Sequence, residues 1–232
     1  DTLSFAEADD TVDITLSDNE EGTYSDDDGD GGSFSEIEAF ELTGGSDTFD
    51  GSAASSNGAS VDGGDGDDSL TGTDADDSVV GGSGADTLRG RAGDDSLEGG
   101  IGDDVLDGGI DDDTLVGGTG DDSLTGGDGD DVFVYTSGLD TISDFNTGNS
   151  GALNDGDSTN NDFVDLSNYY ARLSDLRADF LDDGILNQSN ASDRSGDVDY
   201  SGQSQFASDE GIEFQTASSD GQFLTSDNTG VM

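Results

Sequence analysis

The residues of this chain best suited to do chemistry are aspartates that return every nine positions. Over residues 63–134 the sequence holds one pattern without a gap, G-G-x-G-x-D-x-U-x, where U is a large apolar residue. Position 6 is always Asp: Asp68, Asp77, Asp86, Asp95, Asp104, Asp113, Asp122 and Asp131. Position 8 is always apolar: Leu70, Val79, Leu88, Leu97, Leu106, Leu115, Leu124 and Phe133. Carboxylates at a fixed spacing, set among glycine bends that bring backbone carbonyls close together, form the donor set of a hard cation. Calcium takes about six to eight oxygens at about 2.3–2.6 Å in flexible geometry, whereas magnesium demands a tight octahedron and gives up its water reluctantly. The expected ligand of these aspartates is therefore Ca2+.

The elements that must position them follow from the same nonamer. Its glycine-rich half bends sharply, and its D-x-U-x half lies extended with U turned inward, so each unit is half a coil. If two units close one coil, units of like parity stack about 4.8 Å apart along one edge of a flattened right-handed spiral. The aspartates then form two ladders, Asp68, Asp86, Asp104 and Asp122 on one edge and Asp77, Asp95, Asp113 and Asp131 on the other. Bare ladders repel, and a cation between successive turns relieves them; the regular array offers room for about six ions. Two flanking segments keep the register: LTGGSDTFD (42–50) adds Asp47, and SGLDTISDF (137–145) adds Asp140. Thr73, Ala75, Arg91 and Asp111 depart from the pattern, so turns two, four and six are expected to bind less well.

This nonapeptide is a known repeat signature, and the array with its exit SGLDTISDF resembles the β-roll of RTX (repeats-in-toxin) proteins, among them secreted bacterial proteases, lipases and adhesins. The likeness covers roughly residues 42–145. It implies export as an unfolded chain through a type I secretion channel, then folding in extracellular calcium, which places the protein outside the cell or on its surface. A second likeness involves the tail. NNDFVDLSNYY (160–170), LRADFLDDGILNQS (176–189) and SDNTGVM (226–232) resemble segments that precede a Hedgehog/intein-like self-processing domain in RTX proteins of marine alphaproteobacteria. That likeness implies that Met232 is an end left by self-cleavage.

Composition sets limits on everything else. The chain has 232 residues with 57 acidic and 5 basic ones, a formal charge of −52. A field of this sign repels phosphate, so nucleic acid and anionic membrane are poor partners. Only 29% of residues are hydrophobic, so the metal-free chain is expected to stay largely disordered until calcium binding supplies folding free energy. Composition alone also fits a solvated acidic linker. Register argues otherwise, because a disordered chain has no reason to keep Asp and an apolar residue two apart through successive nonamers. Cys, His, Lys, Pro and Trp are all missing. A Ser-His-Asp triad, a Cys-His pair, a Schiff-base lysine and a histidine zinc site are consequently excluded within this chain, and the reading is non-enzymatic. No apolar run is long enough for a membrane-spanning helix.

The expected fold is all-β: a right-handed parallel β-roll, a calcium-stacked solenoid, with a β-rich N-terminal segment and a C-terminal cap containing one short helix. Its expected divisions are an N-terminal β segment (1–41), the roll (42–145) and the capping region (146–232). Asp1-Thr2-Leu3-Ser4 reads as a D-x-U-x half, which suggests that the natural chain extends upstream or was cut there. Residues 11–16 alternate as a strand, 17–32 read as an acidic loop, 36–42 as another strand, and a degenerate unit ends at Val61 after a three-residue slip. Asp155, Asp157, Asn160, Asn161 and Asp162 lie in a loop that serves equally as a separate calcium site or as plain solvated chain. Leu173, Leu176, Phe180 and Leu181 are at helical spacing and predict a helix over 169–183, with strands near 212–214 and 223–225.

Two functions compete at this level. One is a non-catalytic extracellular calcium-binding structural protein, with copies of itself or matrix neighbours as partners in a filament, matrix or surface layer. The other is a secretion and folding module of a larger toxin, hydrolase or adhesin. An ice-binding face is disfavoured, because the hydroxyl row at position 7 is broken by Val105 and Val132.

Overall fold

The computed structural model describes residues 1–5, 11–18, 20–27, 29–144 and 162–165, together with strands at 185–187, 211–214 and 222–224. The strands in chain order begin with β1 (Thr2–Ser4), β2 (Val12–Asp18), β3 (Glu21–Asp26), β4 (Gly31–Ser35), β5 (Ala39–Glu41), β6 (Thr48–Asp50) and β7 (Ser60–Asp65). The regular array supplies β8 (Ser69–Thr71), β9 (Ser78–Ser83), β10 (Thr87–Ala92), β11 (Ser96–Ile101), β12 (Val105–Ile110), β13 (Thr114–Thr119), β14 (Ser123–Asp128) and β15 (Val132–Val134). Beyond it lie β16 (Leu139–Ile142), β17 (Phe163–Asp165), β18 (Ile185–Asn187), β19 (Gly211–Phe214) and β20 (Gln222–Leu224).

From β4 to β18 successive strands go to opposite sheets, as half-coils require. One sheet runs β1-β5-β7-β9-β11-β13-β15-β17-β20, and the other runs β18-β19-β16-β14-β12-β10-β8-β6-β2-β3-β4. Within the array every pairing is parallel and in register: Leu70 stands opposite Leu88, Leu88 opposite Leu106, and Leu106 opposite Leu124. Val79, Leu97, Leu115 and Phe133 align in the same way on the other sheet. All eight are buried and form the core between the sheets, only one apolar side chain deep from each half-coil. The fold is thus an all-β parallel solenoid, without a helix among the described residues. None of those residues forms a helix long and apolar enough to cross a membrane.

Both flanks continue the pattern. Leu3 pairs with Phe40, Phe40 with Val61, and Val61 with Val79, so the 1–4 half-unit and the slipped unit ending at Val61 occupy apolar positions of the same column. Phe49 sits between Ile14 and Leu70 on the opposite sheet. Strands also stand at β19 and β20, where short strands are expected. The expected loop over 17–32 is a correction. Most of it is the antiparallel hairpin β3–β4, which continues the second sheet beyond β2. Glu21, Asp27 and Asp30 are exposed, while Tyr24 and Phe34 pack against the core; the Phe34 and Phe40 rings lie 5.4 Å apart, and the Phe5 and Tyr24 rings 5.3 Å. An antiparallel hairpin with two aromatic side chains covers the last coil where no further parallel strand follows, as the end of a solenoid requires. The helix expected over 169–183 and the loop residues Asp155, Asp157, Asn160 and Asn161 lie outside the described residues, as does most of the tail.

With so thin a core, each apolar position carries much of its coil. Leu97 is fully buried between Val79 and Leu115, and Leu97→Ala is expected to cost about 2–5 kcal/mol. Denaturant unfolding in saturating calcium measures it. A loss well under 1 kcal/mol would mean that the column is not the core.

Candidate functional site

The ladder aspartates are placed by the bend that precedes each inward apolar residue. In turn 99–104 the chain leaves one sheet, turns through glycines, and presents Asp104 two residues before Leu106 of the other sheet. Three of the four polar groups of Asp104 are then used by neighbouring turns. Its N–H donates to Asp122 Oδ1 at 2.9 Å, its carbonyl accepts from Ser123 N–H at 2.8 Å, and its Oδ1 accepts from Asp86 N–H at 2.8 Å. Its Oδ2 is buried and has no hydrogen-bond partner.

That geometry repeats along both edges. On the longer edge, each backbone N–H donates to the carboxylate one coil on: Asp47 to Asp68, Asp68 to Asp86, Asp86 to Asp104, Asp104 to Asp122 and Asp122 to Asp140, at 2.8–3.2 Å. Val12 N–H bonds Asp47 Oδ1 and starts the ladder. On the other edge Ala59 donates to Asp77, Asp77 to Asp95, Asp95 to Asp113 and Asp113 to Asp131. All ten aspartates singled out from the sequence thus fall on the two ladders, and all are buried. Oδ2 is left without a partner in Asp47, Asp68, Asp86, Asp95, Asp104, Asp113, Asp122 and Asp131.

The orphaned oxygens face oxygen. A Cβ placed on Gly81 would collide with Asp86 Oδ2 and stand 2.7 Å from the Gly99 carbonyl oxygen of the next coil. At Gly108 the corresponding atoms are Asp113 Oδ2 and the Gly126 carbonyl, again at 2.7 Å. Glycine at position 1 therefore keeps open a cradle where a carboxylate oxygen and a carbonyl oxygen from successive turns converge. Among the described residues no three acidic side chains gather at one point, so a cation here takes the rest of its oxygens from the backbone. Calcium accepts that mixture of donors, and the residues fit it.

Electrostatics agrees. Burial, reinforced by neighbouring carboxylates, pushes Asp68, Asp95 and Asp131 up to about 7, Asp104 to about 6, and Asp113 and Asp140 to about 8. Asp47, Asp77, Asp86 and Asp122 are raised as well, with burial the leading cause. Without a cation the folded chain holds these groups where their charged form is disfavoured.

Two features differ from the sequence reading. Asp162, expected in a loop serving as a separate calcium site or as solvated chain, instead extends the shorter ladder, its Oδ1 accepting from Asp131 N–H at 3.4 Å. The available signal was Asp162 two residues before Val164, a D-x-U half-unit displaced by a long insertion. The second feature is an outer ladder at position 5 that runs the opposite way. Asp94 N–H donates to Asp76 Oδ1, Asp112 to Asp94 and Asp130 to Asp112, at 2.9–3.2 Å, while Asp121 donates to Asp103 and Leu139 to Asp121 on the other edge. Position 5 is Asp in every regular unit but one, where Ala85 interrupts it.

Parallel half-coils, stacked glycine bends and buried carboxylate ladders together define a calcium-binding β-solenoid. The family model for the RTX calcium-binding nonapeptide repeat matches residues 60–88, 80–115 and 107–142, and these residues form an RTX calcium-binding β-roll. No curated protein and no solved structure matches the chain.

The raised carboxylates give the metal-free fold a pH dependence of definite sign. Protons bind the folded ladder more tightly than the unfolded chain, so stability is fully present below the ordinary Asp value of 3.8 and is lost as pH rises through about 6 to 8. In chelator, circular dichroism should show β-structure increasing as pH falls from 8 towards 4; a signal flat across that range would contradict the buried ladder. In the presence of calcium, Asp104→Ala removes a carboxylate bonded to turns on both sides. The calcium midpoint of folding should rise, and an unchanged midpoint would count against the stacked-aspartate site.

Proposed function

We propose that this chain is a secreted structural protein whose roll folds when calcium fills the ladders. The observation that carries this reading is the row of buried Oδ2 atoms without partners, which in Asp68, Asp86, Asp95, Asp104 and Asp113 share a glycine cradle with a carbonyl from the next coil. A cation supplies the missing partner and cancels the repulsion of stacked carboxylates in one step. The ligands are Asp47, Asp68, Asp86, Asp95, Asp104, Asp113, Asp122, Asp131 and Asp140 with backbone carbonyls, and about six or more ions occupy the roll. Residues 42–145 form the calcium-dependent unit, preceded by the hairpin-capped segment 1–41 and followed by the region 146–232.

Location follows from calcium supply. Extracellular sites fill at about 10⁻⁴–10⁻³ M calcium, so a chain with a formal charge of −52 stays expanded in the calcium-poor cytosol and stiffens after export. The role is mechanical and non-catalytic: a rod that exists only where calcium is abundant. One feature favours copies of the same chain as neighbours in a filament or matrix: Ile101 and Ile110 are 62% and 53% exposed.

Calcium titration followed by circular dichroism tests the folding step. A cooperative gain of β-structure, reversed by chelator, is expected; β-structure independent of calcium would overturn it. Electron microscopy of the native protein tests assembly, with elongated assemblies expected in calcium and dispersed particles in chelator. Dispersed particles under both conditions, or a catalytic domain upstream in the same gene, would instead make the chain a folding module of a larger protein.

A further inference from the structure

Among the eight ladder carboxylates of the regular array, one differs from its neighbours. Asp77 is buried like the rest, yet both of its oxygens are occupied by protein groups. Oδ1 accepts from Ala59 N–H at 2.6 Å and from Thr73 Oγ1 at 3.0 Å, and Oδ2 accepts from Thr73 N–H at 2.6 Å. Thr73 stands at position 2, where Gly64, Gly82, Gly100, Gly109, Gly118 and Gly127 all adopt positive φ. It is absent from the positive-φ residues, so the bend at 72–77 follows another path and turns its position-2 N–H onto the carboxylate. Thr73 is itself fully buried, and its hydroxyl also receives Ala75 N–H at 3.2 Å. The oxygen that elsewhere awaits a cation is here already satisfied.

The facing turn, 90–95, is altered in a matching way. Its position 2 is Arg91, which takes a φ of 97° that side chains rarely adopt, and its guanidinium crosses the gap to Asp74 of turn 72–77. Nε and Nη2 lie 2.9 and 2.6 Å from Asp74 Oδ1. Asp77 N–H bonds Asp95 Oδ1 at 2.8 Å, and Asp94 N–H bonds Asp76 Oδ1 at 3.0 Å, so the two turns are joined by four contacts made entirely of protein. A fixed positive charge thus ties the two turns together at the exposed rim of the gap, outside the Gly72 cradle where Asp77 Oδ2 and the Gly90 carbonyl converge.

We propose that the gap between turns 72–77 and 90–95 is closed by Thr73 and Arg91 instead of calcium, and that this interface is the metal-independent seed from which the rest of the roll grows. The inference rests on the calcium reading of the other turns. In a solenoid, stability is a sum of coils and nearest-neighbour interfaces, so order begins at an interface that holds together without an ion. The other regular gaps hold an unpaired carboxylate oxygen, those of Asp86 and Asp95 in the adjoining turns included, and need a cation. Growth by calcium then proceeds outward from an interface already formed.

Native mass spectrometry in calcium counts the ions, and hydrogen exchange in chelator locates residual order. T73G/A75G/R91G restores glycine at the three altered positions and should bind one more calcium ion than the wild-type chain. In chelator, wild-type amides at Asp77 and Ser96 should exchange at least about tenfold more slowly than those at Asp104 and Ser123, and the triple variant should lose that difference. An unchanged ion count in the folded variant would overturn the inference. So would equal exchange at the two places in wild type, a measurement that holds even if the variant fails to fold. A wild-type chain that binds no calcium at all would sink the underlying reading together with this one, and is distinguished by the wild-type count alone.

Discussion

The roll depends on how the two oxygens of one carboxylate are divided. Oδ1 accepts a backbone N–H from the preceding coil, which sets the stacking of the turns as firmly as the strand ladders do. Oδ2 is thereby held in the interior, out of reach of any donor. An ionised oxygen buried without a partner is costly, and repeating it along two edges multiplies the cost. The same bond that gives the coil its regular rise therefore creates the need for a cation.

The core cannot offset that need. Each half-coil contributes one inward apolar side chain, and the columns from Val79 to Phe133 and from Leu70 to Leu124 leave little apolar surface beyond themselves. A thin solenoid is stable only if neighbouring coils hold one another and its ends are covered. At the N-terminal end the hairpin β3–β4 covers one sheet, with Tyr24 and Phe34 laid against Phe5 and Phe40. The acidic residues on its outer side add to the charge without entering the core.

The two edges share a period but differ in chemistry. Turns 63–68, 81–86, 99–104 and 117–122 keep the full glycine pattern, while Thr73, Ala75, Arg91 and Asp111 all fall on the other edge. Because units alternate between edges, substitutions an even number of units apart share an edge, and those two units apart face each other across one gap. Thr73 and Arg91 are two units apart and line a single gap, whereas Asp111 adopts a φ of 80° in the next turn of that edge. Departures that read as scattered weaknesses along the chain are adjacent in the coil, and two of them do complementary work.

The sequence alone determined the register. An Asp and an apolar residue two apart, returning every nine positions, dictated alternating half-coils, the two columns and the two ladders, and extended them to Asp47 and Asp140, because parallel strands pair residue with residue. The hairpin was hidden by its acidic surface, since the alternation of Gly22, Tyr24 and Phe34 is weak beside so much Asp and Glu. Asp162 was hidden by separation, lying 31 residues after Asp131 instead of 18. Only the tertiary structure decided which oxygen is bonded and which is left bare, that position 5 builds a second ladder in the opposite sense, and that Thr73 closes its turn on Asp77. Periodicity states which residues face each other; the use of each oxygen depends on distances between atoms that meet only after the chain has wound past itself.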